Sequence, residues 1–424
     1  HLFVSTPVAP ANTPSPTSGT LIFRRLAAAL HYRDFRVLWL GAGTSSIGTW
    51  MQEVALNWLI LTLAGSASAF FLGLNTFLGQ APILLFTLIG GAVADRHDRR
   101  QVMLFSQYTQ MSVAFILMAL VYFDVIAIWH VLVLAIVGGT AQAFGGPAYQ
   151  SLLPMLVEKE HVPNAIALNS IQFNLARVIG PLLAGAALAT WGMVACFGLN
   201  GLSFLAVIFA ILSMHVRHIP VVSQTRLHEE MTMGLRYVRE RPTIVALTVL
   251  AAATTFLGNP LLTFLPLFAR DVFNGGVTEY TELMAFAGAG AVAGALIVAW
   301  LGHFKHMGRT LLIIQLLFGV LIALFSLSRL FWLNALLLFG CGAGLVMTFA
   351  ILNSLIQHVV PNEMRGRVVS IYMVAFRGGM PLGGLASGWV ATLTSAPTVL
   401  TLNGILLSLV AGWFLFKGHG VREL

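Results

Sequence analysis

Long apolar stretches separated by short polar turns run along the chain from residue 35 to residue 417. A helix needs roughly 20 apolar residues to cross the hydrocarbon core of a bilayer, and each stretch is long enough. Open sheets leave backbone edges unsatisfied in lipid, and barrel strands show short alternating segments. The pattern therefore predicts an all-α membrane protein with twelve transmembrane helices, near residues 35–63, 67–93, 100–123, 126–156, 163–190, 192–216, 243–270, 278–302, 309–328, 331–358, 366–392 and 395–417.

Composition agrees with this pattern, because hydrophobic residues make up 58% of the chain and charged residues only 9%. The net charge of +8 follows the membrane topology and does not indicate a nucleic-acid partner. If both termini are cytoplasmic, Arg270 and Arg329 fall outside, Arg177 and Arg377 fall within spans, and the other 19 of the 23 Lys and Arg are cytoplasmic. This asymmetry obeys the positive-inside rule and predicts a multi-pass membrane protein with both termini in the cytoplasm.

A polar segment separates the sixth and seventh apolar stretches and ends at Pro242. Met231, Leu235 and Val238 recur there at helical spacing with charges opposite, which is typical of an amphipathic helix on the membrane surface. A charged linker that only joins two halves explains the segment equally well. We divide the chain into a disordered cytoplasmic tail, an N-terminal six-helix bundle, a linker with an amphipathic helix, a C-terminal six-helix bundle and a cytoplasmic tail, at residues 1–30, 31–216, 217–242, 243–417 and 418–424.

A compact charged turn follows the second apolar stretch and reads Gly91-Ala92-Val93-Ala94-Asp95-Arg96-His97-Asp98-Arg99-Arg100. It resembles the loop 2–3 signature of the major facilitator superfamily of secondary transporters, with Asp98 in place of the second glycine and Val93 in place of a leucine. The resemblance implies that Asp95 latches this turn to the start of the eleventh helix in the outward-facing state. The expected latch residues are Gly91, Asp95, Arg96, Arg99, Arg100, Arg365 and Arg367.

Five further stretches are similar to one bacterial branch of this superfamily, which contains the enterobactin exporter, related secretion effectors and drug efflux proteins. The similarity covers nearly all of residues 30–417, and it implies small-molecule export across a bacterial inner membrane. The stretches are Tyr32-Arg33-Asp34-Phe35-Arg36, Gly48-Thr49-Trp50-Met51-Gln52, Pro147-Ala148-Tyr149-Gln150-Ser151-Leu152-Leu153-Pro154, Ala176-Arg177-Val178-Ile179-Gly180-Pro181 and Pro361-Asn362-Glu363-Met364-Arg365-Gly366-Arg367-Val368-Val369-Ser370.

The two halves of the chain repeat each other weakly at an offset of 200 residues. Ser170-Ile171 recurs as Ser370-Ile371, and Arg177 and Pro181 recur as Arg377 and Pro381. Transporters of this superfamily show such a duplication. The repeat therefore favours two pseudo-symmetric six-helix bundles.

Glu53 is an acidic side chain near the middle of the first span, where a carboxylate costs roughly 2.5–3.5 kcal/mol on insertion scales. Ser46, Thr49 and Asn57 lie three or four residues apart on the same helical face. A carboxylate held away from water is able to take up a proton near neutral pH, as a proton-coupled carrier requires. The alternative is a structural glutamate bonded to neighbouring helices or lying at a cavity mouth.

Arg177 and Arg377 each lie four residues before a proline within a span. A guanidinium stays charged at any relevant pH and needs a partner or water. We expect Glu53 and Arg177 to communicate, so that protonation of Glu53 rearranges Arg177. Alternatively, the two arginines bond backbone carbonyls freed by the prolines, which is the more natural interpretation for Arg377.

Other polar and small residues complete the candidate site. The resemblance implies that predicted spans 1, 4, 7 and 10 line the substrate path. The candidate cavity residues are Thr49, Asn57, Gln142, Tyr149, Asn259, Asn353 and Gln357. The resemblance also implies that span 5 packs against span 8, and span 2 against span 11, between the two halves. Ridges of small residues there, such as Gly379-Gly383-Ser387, would let the halves rock against each other. Ordinary tight packing of membrane helices explains these residues equally well. The candidate hinge and packing residues are Gly180, Pro181, Gly290, Gly294 and Pro381.

These features together predict a monomeric proton-coupled exporter of an amphipathic small molecule, such as a siderophore or a drug. Its partners are that molecule, protons and membrane lipid. An importer or lipid flippase of the same fold is an alternative, and a membrane receptor or scaffold is another. The sequence shows no nucleotide-binding loop, no enzymatic constellation and no cofactor or metal motif, and Cys196 and Cys341 both lie in spans. We therefore expect no enzyme activity.

Overall fold

The structure, a computed structural model, describes residues 28–214, 227–302, 304–417 and 420–424. The side chains at positions 88, 92, 94–96, 227–232 and 362 are outside this description. The predicted tail at 1–30 therefore lies almost wholly, and the predicted linker at 217–242 partly, outside the described residues. The same holds for the side chains of Asp95, Arg96 and Met231.

Helices make up nearly all of the described chain, and no strand occurs in that part. Their bounds are α1 Arg33–Ala64, α2 Ser68–Arg96, α3 Arg99–Tyr122, α4 Ile128–Leu152, α5 Val162–Thr190, α6 Gly192–Ser213, α7 Leu227–Arg239, α8 Pro242–Gly258, α9 Pro260–Leu267, α10 Val277–Leu301, α11 Met307–Leu327, α12 Phe331–Val359, α13 Asn362–Leu393 and α14 Ala396–Lys417. A π-helical turn at Phe268–Val272 continues α9. The all-helical class predicted from the apolar pattern is confirmed.

Within the described ranges, eleven helical stretches are long and apolar enough to cross a membrane. The first of these, at Arg33–Thr87, has 55 residues and contains both α1 and the greater part of α2. A single straight helix of that length would extend roughly 80 Å, far more than a bilayer core. A short 3₁₀ turn at Gly65–Ala67 interrupts it, and Gly65 has a φ of 54°, which a residue without a Cβ adopts freely.

Side chains with matching chemistry define several helix ends. The Asp98 carboxylate accepts a hydrogen bond from the Arg100 amide at 2.9 Å and caps the start of α3. A Glu279 oxygen accepts one from the Gly276 amide at 2.6 Å at the start of α10. Gly302, with a φ of 57°, follows the last residue of α10. Polar turns between apolar runs are thus sites where the chain reverses direction.

The helices pack in two groups with the same internal pattern. In the first group, α1 packs against α5 and α6, α2 against α4, and α3 against α4 and α6. In the second group, α8 packs against α13 and α14, α10 against α12, and α11 against α12 and α14. Two principal seams join the groups, one between α2 and α13 and one between α5 and α10. We call the groups the first half and the second half.

The hydrophobic core differs between the two ends of the molecule. The far end carries the turns at 65–67, 123–127, 268–276 and 394–395, and the tail end carries residues 28–32, 97–98, 304–306 and 420–424. At the far end one cluster unites side chains of both halves, such as Leu61, Leu72, Leu265 and Phe325. At the tail end there are two separate clusters, each confined to its own half. Among the described residues, the two halves therefore share one hydrophobic core at the far end and have separate cores at the tail end.

Helix α7 lies against the tail end of the second half. Gly234 packs on Arg367 and Ile371 of α13, and Val238 is buried in the tail-end core of that half. Leu235, which the spacing groups with Val238, is 48% exposed and faces away from the protein. The reason is that Gly234 and Val238, four residues apart, make the contact, whereas Leu235 lies about 100° around the helix from Gly234.

Candidate functional site

Glu53 lies in the middle of α1, and its side chain is exposed although the surrounding helix is largely buried. Thr49, one turn before it, is also exposed, and its hydroxyl donates to the Ser45 carbonyl at 2.9 Å. The Asn57 amide, one turn after it, is the polar neighbour that interacts with the Glu53 carboxylate. An exposed carboxylate in the middle of a membrane-crossing helix indicates that α1 borders an internal cavity.

Asn57 connects this helix to the other half of the molecule. Its Nδ2 donates a hydrogen bond to the Tyr280 hydroxyl of α10 at 3.3 Å, and both side chains are buried. The Tyr280 ring stacks on Trp58 of α1, with 6.2 Å between ring centroids. The sequence did not indicate Tyr280, since a tyrosine near a span end is usually an interfacial residue. The contact joins the halves one helical turn from Glu53.

Arg177 lies at the middle of α5, with its guanidinium carbon 5.6 Å from the ring centroid of Trp50 on α1. A Cβ on Gly180 would overlap Trp50, so α1 and α5 approach closely at this point. Arg177 makes no hydrogen bond or ion pair with any described residue, and Glu53 makes no ion pair with it. Neither the Glu53–Arg177 contact nor a bond to a proline-freed carbonyl is present in this state.

Arg377 occupies the equivalent position on α13, and its side chain is exposed. The neighbouring Gly378 faces Leu84 of α2, and Phe376 packs on Phe349 of α12 with ring centroids 4.5 Å apart. In the described part of the chain Arg377 has neither a hydrogen bond nor a carboxylate partner. Pro181 and Pro381 both lie inside continuous helices, four residues after the two arginines.

The other candidate cavity residues differ in their surroundings, since some side chains are exposed and others are hydrogen-bonded within the protein or buried. Gln142 is exposed, whereas the Tyr149 hydroxyl donates to Asn169 at 2.6 Å. Gln357 donates to Asn353 at 3.2 Å within α12. Asn259 is only 9% exposed at the break between α8 and α9, so it does not face open space.

The charged turn between α2 and α3 binds the tail end of its own half. Arg99 donates to the Ser151 carbonyl at the end of α4 at 3.4 Å, and Arg100 donates to the Leu212 carbonyl at the end of α6 at 2.5 Å. Arg365 of α13 is exposed. A Cβ on Gly91 would meet open space. Sequence reasoning missed the capping role of Asp98, which lies where the family signature has its second glycine.

The glycine ridges at the seams are not those that the sequence suggested. Gly290 and Gly294 face Phe339 and Ala343 of α12, within the second half. The α5–α10 seam instead uses Gly288, which lies against Val178 and the Arg177 carbonyl.

At the α2–α13 seam, too, the glycines in contact are not the predicted ones. Gly379 and Gly383 face α8, while Gly384 and Gly388 meet the backbone of α2 near Gly73. Ser387, predicted on the same ridge, accepts a hydrogen bond from Asn403 of α14 at 3.0 Å. The expected pairing of helices is correct, because predicted spans 5 and 8 are α5 and α10, and predicted spans 2 and 11 are α2 and α13. The glycines at the seams lie one or two positions away from the predicted ones. A shift of one or two residues along a helix turns the facing direction by about 100° or more.

A further contact at the far end joins the halves. Arg270 donates to the Leu61 carbonyl of α1 at 3.2 Å and is held by Asp271 at 2.6 and 3.1 Å. Outside this contact lies a cavity of about 550 Å³, whose wall includes Ser66, Arg270 and Arg329. Sequence reasoning placed Arg270 only as a charge outside the membrane.

Comparison with known proteins shows the family to which the chain belongs. Residues 26–422 match the family described as transmembrane secretion effector, within the major facilitator superfamily. The staphyloferrin A transporter of Staphylococcus aureus is 26% identical over 384 residues, which are 89% of this chain and 94% of that protein. Macrolide efflux protein A of Streptococcus pyogenes is 23% identical over 388 residues, 89% of this chain and 94% of that protein. The enterobactin exporter EntS of Shigella boydii is 25% identical over 386 residues, 89% of this chain and 91% of that protein.

The fold is shared with solved transporters. A bacterial homologue of the human lysosomal transporter Spinster, in an inward-facing and unoccupied conformation, superposes with a TM-score of 0.68 at 15% identity, covering 94% of this chain and 98% of that one. A variant of the peptide transporter POT gives a TM-score of 0.74 at 10% identity, covering 94% of this chain and 98% of that one.

Proposed function

Because the chain belongs to the transmembrane secretion effector family of the major facilitator superfamily, which comprises transporters and not enzymes, we propose that it exports an amphipathic small molecule by proton-coupled alternating access. Its relatives include a staphyloferrin A transporter, a macrolide efflux protein and an enterobactin exporter. Those names support a siderophore-like or drug-like cargo.

The proposed topology has twelve spans in two six-helix bundles, at 31–216 and 243–417, joined by the linker at 217–242. The turn at Gly65–Ala67 supports counting α1 and α2 as two spans, and the matching packing of the halves supports the bundles. The positive-inside asymmetry places the tail end, with both termini, on the cytoplasmic side of a bacterial inner membrane. The protein acts as a monomer.

The observation that carries this proposal is the uneven core, which is shared by both halves at the far end and divided at the tail end. With the tail end cytoplasmic, this is an inward-facing state. Rocking about the α2–α13 and α5–α10 seams would close the tail end and open the far end. The turn carrying Asp95 then approaches Arg365 and Arg367 and latches the outward-facing state.

Glu53 is the proposed proton carrier. It is exposed in a state open to the cytoplasm, and its neighbour Asn57 bonds Tyr280 across the halves. Asn57 therefore links Glu53 to a contact between the halves. A change in the charge of Glu53 acts through Asn57 on this contact, which breaks when the far end opens. Arg177 and Arg377 line the same path and respond to that charge.

Reconstitution tests the proposal. Luminal pH is recorded in proteoliposomes while amphipathic compounds are added, comparing the wild type with Glu53→Gln. Glu240→Gln is the matched control, since Glu240 is exposed and pairs with Arg236 on the surface. We expect compound-dependent proton movement that disappears in Glu53→Gln only. Compound or lipid movement without proton flux in the wild type would instead favour a uniporter or flippase.

A further inference from the structure

Arg177 faces the centre of the molecule and not the lipid. On α5, Arg177 contacts Trp50 of α1, whereas Leu175 and Leu182, each 49% exposed, lie on the opposite face. Arg177 lies roughly 140–160° around the helix from both of them. Contacts with α1 at Gly180 and with α10 at Val178 flank its position on either side. The guanidinium therefore points into the space between α1 and α10.

Arg377 has the same orientation in the second half. On α13, Leu382, Trp389 and Leu393 are 51%, 60% and 69% exposed and form the outward face. Arg377 lies roughly 120–160° from these three side chains. Since α2 contacts Gly378 and α12 contacts Phe376, its side chain enters the gap between α2 and α12.

These two cations are not neutralised by the protein. Neither forms an ion pair or hydrogen bond within the described chain, although both lie at the middle of membrane-crossing helices. Glu53 is the single acidic side chain at that depth among the described residues. A guanidinium remains charged there, and isolated charges away from water are strongly unfavourable. Among the described residues, the middle of the helical bundle therefore has an excess of positive charge even when Glu53 is ionised.

We propose that Arg177 and Arg377 are the anion-binding groups of the transport cavity, one on each half, and that the cargo carries at least two acidic groups on an apolar or aromatic body. The proposal rests on the transport function above and names its substrate class. Planar guanidinium groups pair with carboxylates through two parallel hydrogen bonds. Trp50, beneath Arg177, supplies an aromatic surface beside the first anionic group. A dianion held by both halves would favour closure of the tail end around it.

The test uses four biphenyl compounds that share one apolar body: a dicarboxylate, a monocarboxylate, an alcohol and a trimethylammonium. Their binding to the full-length protein in lipid nanodiscs is measured by titration calorimetry. We expect the dicarboxylate to bind at least about tenfold more tightly than the monocarboxylate, as a second charge-assisted pair implies. If the dicarboxylate binds the wild-type protein no more tightly than the alcohol does, this result overturns the proposal without any variant.

Variants assign the effect to the two side chains. Arg177→Gln and Arg377→Gln should each remove the dicarboxylate's advantage over the monocarboxylate, and Arg177→Lys should retain part of it. Arg329→Gln, at a far-end turn, is the matched control and should change nothing. If the advantage survives in the double Gln variant, the arginines do not bind the anion.

The outcomes separate this proposal from the transport function. Glu53-dependent proton flux with the alcohol or the ammonium compound, and no preference for the dicarboxylate, would leave the transport proposal intact and contradict this one. Arginine-dependent dicarboxylate binding without movement of any compound would support the site and contradict transport.

Discussion

The far end and the tail end of the molecule are built from the same long helices, and yet the contacts between the halves differ at the two ends. At the far end, direct contacts cross between halves: Asn57 bonds Tyr280, Arg270 bonds the Leu61 carbonyl, and Gly73 lies against Gly384. At the tail end, Arg99 and Arg100 bind carbonyls of their own half. The far-end contacts therefore join the halves, and in the proposed transport cycle they would have to break. The tail-end contacts stabilise each half by itself.

The largest expected effect comes from the glycine seam at the far end. A Cβ at position 73 would overlap the Gly384 carbonyl, so Gly73→Leu should prevent α2 and α13 from closing. Transport in proteoliposomes should fall at least about tenfold, because overpacking of 1–3 kcal/mol acts directly on this state. Gly79→Leu on the same helix is the control, since a Cβ there meets open space. Equal loss in both variants would contradict the importance of the seam.

A smaller effect is expected from the polar contact between the halves. Tyr280→Phe removes the hydroxyl that Asn57 donates to but keeps the ring that stacks on Trp58. A buried hydrogen bond contributes about 1 kcal/mol, so the population open at the far end should rise about fivefold. Labelling of a cysteine placed at position 66 measures this change. An unchanged labelling rate would show that the bond does not hold the far end closed.

The smallest effect is expected at the tail end. Arg100→Gln removes a hydrogen bond to the Leu212 carbonyl within the first half. The melting temperature should fall by about a few degrees, as loss of one charge-assisted bond implies, while labelling at position 66 stays unchanged. A shift in labelling without loss of stability would indicate that Arg100 acts between the halves instead.

The latch of the outward-facing state is a separate prediction for the tail end. Asp95→Asn should shift the population further toward the inward-facing state, because a charged partner for Arg365 and Arg367 is lost. Accessibility of cysteines introduced at the tail end measures this shift. No change in accessibility would count against the latch.

Hydropathy was sufficient to predict the fold class and the approximate bounds of the helices, because lipid requires long apolar helices. It could not predict which face of a helix meets which neighbour. Gly288 and Gly384 form the seams, whereas Gly290 and Gly383, one or two residues away, face their own halves. Only the three-dimensional packing selects between such neighbours.

The candidate site was predicted unevenly for a related reason. Glu53, Arg177 and Arg377 are conspicuous as charges within apolar runs, so the sequence alone identified them. Tyr280 and Arg270 were missed, since a tyrosine and an arginine near span ends are ordinary residues there. Their role arises from contacts with Asn57 and Leu61, more than 200 positions earlier in the chain.

The most direct test of the account measures both ends of one protein at the same time. Spin labels are placed on Ser66 and Ser395 at the far end, and on Lys159 and Lys305 at the tail end, after replacement of the buried Cys196 and Cys341. Distances are recorded in nanodiscs as pH is lowered from mildly basic to mildly acidic. We expect the two distances to change in opposite directions and the change to disappear in Glu53→Gln. Distances that change together, or that respond equally in Glu53→Gln, would contradict proton-coupled alternating access.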